Sequence, residues 1–309
     1  MVGDEQTIVV SDSDKGKRID RFLSEIFQDV SRTQLKKSFH EGLVFIQGVS
    51  VPAKYVLRGK ELITLRLILP DDITLNPVPM PLDILFEDED IIVINKSAGI
   101  VVHAGNGTPA PTLVEGILSH CPLGGSGNPL RPGVVHRLDK DTSGAIIFTK
   151  TDRAYLRLIK MFATRKIKKT YQTIVCGTFT KSFGEICLPI QRDRFVRTKM
   201  AASAGGKEAI TRWHMLKSFG KQFTHLRVDI LTGRTHQIRV HMAAVRHPIL
   251  GDTTYGYDKN FSKLVVSPRP MLHASEVVFD HPCTGETISI KAQLPSDFVR
   301  VLQLLSENF

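Results

Sequence analysis

The stretch VVHRLDKDTSG, residues 134–144, sets one carboxylate, Asp139, between Arg137 and Lys140 and follows it with Thr142, Ser143 and Gly144. Opposite charge within a few ångströms favours the ionised form of an acid. Asp139 therefore reads as a standing anion: a nucleophile, a base, or half of a buried ion pair, and a poor general acid. Complementary charge lies in LTGRTHQIRVHMAAVRHP, residues 231–248. There Thr235 reads as the cap of a helix that buries Ile238, Met242 and Val245, and the helix's positive N-terminal end adds to Arg234 and Arg239. Such an end suits an anion, either a phosphate or Asp139.

Other chemistries fit less well. AGGKEA lacks the first glycine of a phosphate loop, with Ala201 at that spacing, and Glu208 replaces the magnesium-binding hydroxyl. In GGSGN, Asn128 occupies the last glycine position of a nucleophile elbow. His236 and His241 are close in sequence, but Arg234 and Arg239 beside them repel a cation, so no metal site is expected. Asp139 and Asp141 would point apart on a strand, which disfavours a glycosidase pair. Cys121, Cys176, Cys187 and Cys283 follow neither zinc nor disulfide spacing.

The elements that must position these groups fall into two regions. In residues 16–68, Ile19, Phe22, Leu23, Ile26 and Phe27 form one helical stripe. Ser31 and Gln34 make a capping box for a second helix, and Gly42 suits its end. Arg32, Lys36 and Lys37 share one side of that helix, and short strands at 43–46 and 61–67 follow. Residues 69–81, with Pro77, Pro79 and Pro81 alternating, read as a stiff linker. Beyond it, 82–309 alternates grouped strands (LDILFEDEDIIVINK, KTYQTIVCG, FTHLRVDIL, ETISIKAQL) with helices near 112–119, 152–164 and from 235. This pattern predicts an α+β domain on one large mixed, mostly antiparallel sheet, preceded by a small α/β module.

The chain of 309 residues carries a formal charge of +10, and 42% hydrophobic content can build real cores. A basic excess suggests a polyanionic partner. Residues 151–170 concentrate it: Arg153, Arg157, Lys160, Arg165, Lys166, Lys168 and Lys169, with Asp152 the only acid. No apolar run reaches the roughly 18 residues of a spanning helix, and the acidic start differs from a signal peptide, so no membrane partner and a cytoplasmic location are expected.

His136, Arg137, Leu138, Asp139, Thr142, Ser143 and Gly144 resemble the H-R-L-D-x-x-T-S-G signature of the RluA family of pseudouridine synthases. NKSAGIVVH resembles that family's first motif, with Ser97 and Ala104 where proline is usual. KKTYQTIVCG resembles its tyrosine segment, TGRTHQIRVHMA with GDTTYG its third motif, and LHASEVVFDHP its closing strand. Residues 16–68 resemble the alpha-L RNA-binding module, with Gln47 where asparagine is usual. The resemblance implies cofactor-free isomerisation of uridine to pseudouridine in RNA, most of all large-subunit ribosomal RNA or a pre-ribosomal particle. The alternatives are transfer RNA as substrate, or a non-catalytic RNA-binding assembly factor. It further implies that Asp139 is the catalyst, paired with Arg239, and that Tyr171 stacks on the target uracil and assists removal of its C5 proton. Arg137 would fill the vacated stack of bases. Arg32, Lys36, Lys37, Arg165, Lys168, Lys169 and Arg234 complete the expected RNA contacts of a protein expected to be a monomer.

Overall fold

The computed structural model describes residues 2–27, 30, 32–68, 75–105, 111–125, 131–196, 198–258, 265 and 267–309. They fall into two units, 1–74 and 75–309. In the first, β1 (Val2–Val9), β2 (Val44–Ile46), β3 (Val49–Ser50) and β4 (Leu62–Ile68) form an antiparallel sheet in the order β1-β4-β2-β3. Helices α1 (Ile19–Ile26) and α2 (Arg32–His40) belong to the same unit. Ile19, Phe22 and Leu23 of α1 pack with Leu35, Val44, Ile63 and Leu65. The stripe is narrower than its spacing predicts, because Ile26 is 45% exposed.

Two turn residues set the local geometry. Gln47 (φ 48°) and Gly48 (φ 79°) are both left-handed, as a type I′ turn between β2 and β3 requires. Gln47 thus adopts the conformation for which asparagine is usual. Gly42 (φ 69°) ends α2, and Leu43 N–H donates to the Ser38 carbonyl at 2.9 Å. The expected capping box falls on Ser31, which lies outside the described residues. Strand β1 is an addition to the sequence reading, its five-residue VGDEQ start carrying no apolar alternation.

In the second unit the remaining strands are β5 (Ile84–Glu87), β6 (Ile91–Lys96), β7 (Ser143–Thr149), β8 (Lys168–Cys176), β9 (Phe183–Cys187), β10 (Ile190–Arg192), β11 (Met200–Ala202), β12 (Ile210–Phe219), β13 (Phe223–Ile230), β14 (Leu272–Asp280) and β15 (Thr287–Lys291). The helices are α3 (Leu113–His120), α4 (Asp152–Ala163), α5 (Gln237–Ala244) and α6 (Ser296–Asn308). The main sheet runs β5-β6-β7-β14-β8-β13-β12-β9, with β15 on β14. Among its described pairs only β7 with β14 is parallel. This is the mixed, mostly antiparallel α+β sheet that the sequence pattern predicts. A separate hairpin joins β10 and β11.

Strand β6 shows how the sheet divides the core. Ile92 and Ile94 face one cluster with Val114 and Ile117 of α3 and Ile238 and Met242 of α5. Ile91 and Val93 face another with Ala154 and Leu158 of α4. Every residue of β7 is buried, so its SGAIIFT sequence has no polar face and lacks the alternation that marks a half-exposed strand. Thr112 and Glu115 form a reciprocal cap on α3, and Thr151 caps α4. The described part of the proline segment lies along α3, where Val78 N–H donates to the Glu115 carbonyl at 3.0 Å.

Gly144 sits where β7 meets β14, opposite Ala274. Its φ is +114°, and a Cβ there would lie 2.2 Å from the Ala274 carbonyl oxygen. Both the conformation and the close approach demand glycine. Gly144→Ala is therefore expected to destabilise the protein by about 3 kcal/mol or more, measured as a loss of urea resistance at unchanged m-value; a change below about 1 kcal/mol would contradict this account.

Candidate active site

Asp139 lies in the tight loop that enters β7, where Thr142 N–H donates to its carbonyl at 3.1 Å. Two buried cations hold the next two carbonyls. Lys96, 1% exposed, donates from Nζ to Lys140 O, Ser97 O and Ile100 O, each at 2.9 Å. Burial pulls its pKa down to about 7, yet three carbonyl acceptors match the three N–H bonds of an ammonium. Arg269, 7% exposed, donates from Nη1 to Asp141 O at 3.1 Å and forks onto Asp297 at 2.7 and 2.9 Å. The aspartate loop is thus clamped through two successive backbone carbonyls just after Asp139.

The charge around Asp139 does not come from its sequence neighbours. Arg137 and Lys140 are exposed, and their side chains pair with no described residue. Arg239, a hundred positions along, supplies it: Nη1 donates to Asp139 Oδ2 at 3.2 Å. The same guanidinium forks onto Asp252, from Nε to Oδ2 at 2.6 Å and from Nη2 to Oδ1 at 2.9 Å. Asp252 is 1% exposed. Burial alone would lower the Arg239 pKa, but hydrogen bonding to Asp252 and the charges of Asp252 and Asp139 leave it raised. Tyr255 lies under this guanidinium, its ring 4.9 Å from Arg239 Cζ.

Helix α5 begins differently from the expectation. Its N-cap is His236, in the left-handed conformation at φ 55°, and Thr235 does not cap it. Gln237 closes the helix start instead: its Oε1 accepts from Thr232 Oγ1 at 2.8 Å and Arg234 N–H at 3.0 Å, while Nε2 donates to Ile210 O and Thr211 Oγ1, each at 3.0 Å. The left-handed turn aims His236 at Asp139, with Nε2 3.8 Å from Oδ1. Tyr255 OH accepts from Met200 N–H at 2.9 Å and meets His236 Nδ1 at 2.7 Å. That pairing places the imidazole proton on Nε2, facing the carboxylate, a tautomer assigned from the hydrogen-bond network. Burial lowers the His236 pKa, opposed by Asp139. His241 is engaged elsewhere, by Thr211 Oγ1 and Leu188 O, each at 2.9 Å.

A cleft of about 590 Å³ opens over Asp139, lined by Tyr171, Arg239, Arg137, Lys169, Arg165 and Arg234 among others. Tyr171 reaches it from β8, 7% exposed. Burial and the Asp139 charge raise its pKa, so the phenol stays protonated. Arg165 pairs with Glu208, and Arg234 Nε donates to Glu208 O at 2.9 Å. Lys168 is exposed but does not line the cleft, and Lys36 and Lys37 are exposed on α2 in the other unit. The Arg32 side chain lies outside the described residues. The basic run at 151–170 is divided: Arg157 donates to Pro282 O at 2.6 Å and Arg153 to Cys283 Sγ at 3.2 Å, which anchors α4. His136 is structural, its Nε2 accepting from Ile147 N–H at 2.9 Å while its ring stacks on Phe162. Sequence reasoning missed Asp252, Tyr255, His236, Lys96 and Arg269 as parts of this site. Asp252 and Tyr255 do lie in the quoted GDTTYG, the one signal that pointed to them.

Residues 90–244 match the family model described as RNA pseudouridylate synthase. An uncharacterized RNA pseudouridine synthase, YlyB, of Bacillus subtilis is 38% identical over 97% of this chain and 98% of its own. The chain belongs to the RNA pseudouridylate synthase family. A relative from Pasteurella multocida called ribosomal large subunit pseudouridine synthase D is 40% identical over 96% of this chain and 94% of its own length. These near full-length matches agree with the RluA-type resemblance of the ordered motifs. The solved human RNA pseudouridylate synthase domain containing 4 shares the fold, with a TM-score of 0.55 and 24% identity over 72% of this chain and 92% of that one. Among the described residues no helix is long and apolar enough to cross a membrane.

For a synthase that takes RNA, Lys169 carries a distinctive charge. Burial lowers its pKa to about 8, and its Nζ lies 5.5 Å from the Phe162 ring centre. The cation is present below that value and lost above it. RNA affinity is therefore expected to weaken by roughly tenfold between pH 7 and pH 9, with a flatter profile in Lys169→Gln when both are followed by fluorescence anisotropy. Parallel profiles would exclude Lys169 from the contact.

Proposed function

We propose that this protein isomerises uridine to pseudouridine in large-subunit ribosomal RNA, with Asp139 as the catalytic carboxylate. The observation that carries the reading is the pairing of Asp139 with Arg239 at the floor of a basic cleft beside Tyr171. The names of several relatives as ribosomal large subunit pseudouridine synthase D support the substrate.

The reaction breaks the bond from ribose C1′ to uracil N1, turns the base and joins C1′ to C5. C5 then loses a proton and N1 gains one, so atoms and electrons balance without a redox partner. The step requires an ionised carboxylate next to C1′, and Asp139 is 17% exposed at the cleft floor. Arg239 neutralises and aims it through a charge-assisted hydrogen bond. Asp252 fixes Arg239 in turn, so it acts through positioning. Tyr171, kept as a neutral phenol, stacks on the uracil; the same protonation makes it a poor acceptor for the C5 proton. The target base must leave its stack at a cost of a few kcal/mol, and the unpaired Arg137 at the cleft wall is placed to fill the gap. Lys36 and Lys37 of the first unit, with Lys168, Lys169, Arg165 and Arg234 of the second, supply phosphate contacts whose strength falls with salt. The setting is cytoplasmic and the working unit a monomer.

The test is nucleoside chromatography of unmodified large-subunit ribosomal RNA incubated with the pure protein. A pseudouridine peak is expected with wild type and none with Asp139→Asn, at RNA affinity within about twofold. Tight binding without product from any RNA would leave RNA binding alone as the function. Asp252→Asn removes one charge of the fork that holds Arg239, and is expected to lower kcat by about 100-fold while leaving RNA affinity unchanged; wild-type kcat in this variant would remove Asp252 from the positioning role.

A further inference from the structure

The wall of the cleft includes His103, Arg131 and Arg137. His103 is 7% exposed, and its buried Nδ1 has no hydrogen-bond partner. Its other nitrogen, Nε2, bonds to no described residue either. Most buried polar side chains are satisfied within the protein, so a buried Nδ1 without a partner at a cleft wall needs a reason. The surrounding charge supplies one. Burial lowers the His103 pKa to about 4, and the positive charges of Arg131 and then Arg137 push in the same direction. The Arg131 side chain is exposed and pairs with no described residue. No described acid pairs with Arg131 or Arg137, in contrast to Arg165, which Glu208 neutralises, and Arg239, which has Asp252 and Asp139.

We propose that His103 and Arg131 form a phosphate subsite that takes the RNA phosphodiester adjoining the nucleotide drawn into the cleft. The proposal rests on the RNA-modifying reading above and adds a ligand atom to it. A phosphate oxygen accepts from the imidazole Nε2–H, while the guanidinium fork takes one or two oxygens in the planar geometry that suits it. Holding the backbone beside the extruded nucleotide fixes the ribose relative to Asp139, and Arg137, on the same wall, is free to occupy the gap left in the stack.

The experiment uses an RNA stem-loop that the wild-type protein converts, with single phosphodiesters around the target uridine replaced in turn by uncharged methylphosphonates. Wild type is expected to lose about tenfold in affinity at one phosphate adjoining that uridine. Arg131→Gln should bind the unmodified RNA about tenfold more weakly and be indifferent to replacement of that same phosphate, while remaining sensitive to others. His103→Gln should show the same selective indifference. Arg131 is exposed, so its variant decides the matter even if the buried histidine tolerates no change. Multiplicative losses at every phosphate in Arg131→Gln would overturn the subsite. Absence of pseudouridine from the wild-type incubation would instead overturn the functional reading, which keeps the two failures distinct.

Discussion

One guanidinium shared between two carboxylates governs this protein. Arg239 gives its Nε and Nη2 to Asp252 and keeps Nη1 for Asp139. The division of labour follows burial: Asp252 is 1% exposed and Asp139 17%. A sealed carboxylate needs full compensation, since an unpaired charge in the interior is costly, so Asp252 takes the fork. The more accessible Asp139 receives a single hydrogen bond, on Oδ2, while its Oδ1 lies 3.8 Å from His236 Nε2. Charge balance and the accessibility of Asp139 are therefore set by the same geometry.

That geometry depends on backbone held by other cations. Lys96 and Arg269 do not touch the Asp139 side chain; they bind the carbonyls of Lys140 and Asp141. A loop restrained at two successive carbonyls has little freedom to swing its preceding side chain, and small displacements at a reacting centre are expensive. Arg269 extends the restraint to α6 through Asp297 and to Ser143 Oγ at 3.3 Å, itself 2.9 Å from His273 Nδ1. On the other side, Met200 of the β10–β11 hairpin reaches the same centre through Tyr255 and His236. Elements from across the second unit thus converge on one aspartate.

Much of this is legible in the sequence, and the failures have physical causes. The acidic turn between them marks β5 and β6, polar residues set among apolar ones mark β8 and β13, and α3 and α4 read as helical stretches that begin at good caps. Strand β7 is buried on both sides and carries no alternation, and α6 went unread. The charge near Asp139 was legible in kind but not in source: residues adjacent in sequence point to solvent, while the partner arrives from α5. Thr235 is a good capping residue by type, but the left-handed His236 and the side chain of Gln237 take over the helix start. Asp252 could not be singled out, since its importance arises only where a turn brings it beneath Arg239. Lys96 and Arg269 act on carbonyl oxygens, which every residue has, so no residue pattern announces their targets.

The parallel pairing of β7 with β14 joins Ser143 to His273, 130 residues apart. A pairing of such separation pays its loop-closure entropy before the contact rewards it, which makes it intrinsically slow to form. Asp139, Tyr171 and Arg239 all leave the ribosome before residue 269, and the Arg269–Asp297 pair that clamps the aspartate loop forms only once residue 297 has emerged. The clamp on the aspartate loop thus ties a carbonyl near the start of β7 to a carboxylate on the last helix, and is complete only when the chain between them is in place.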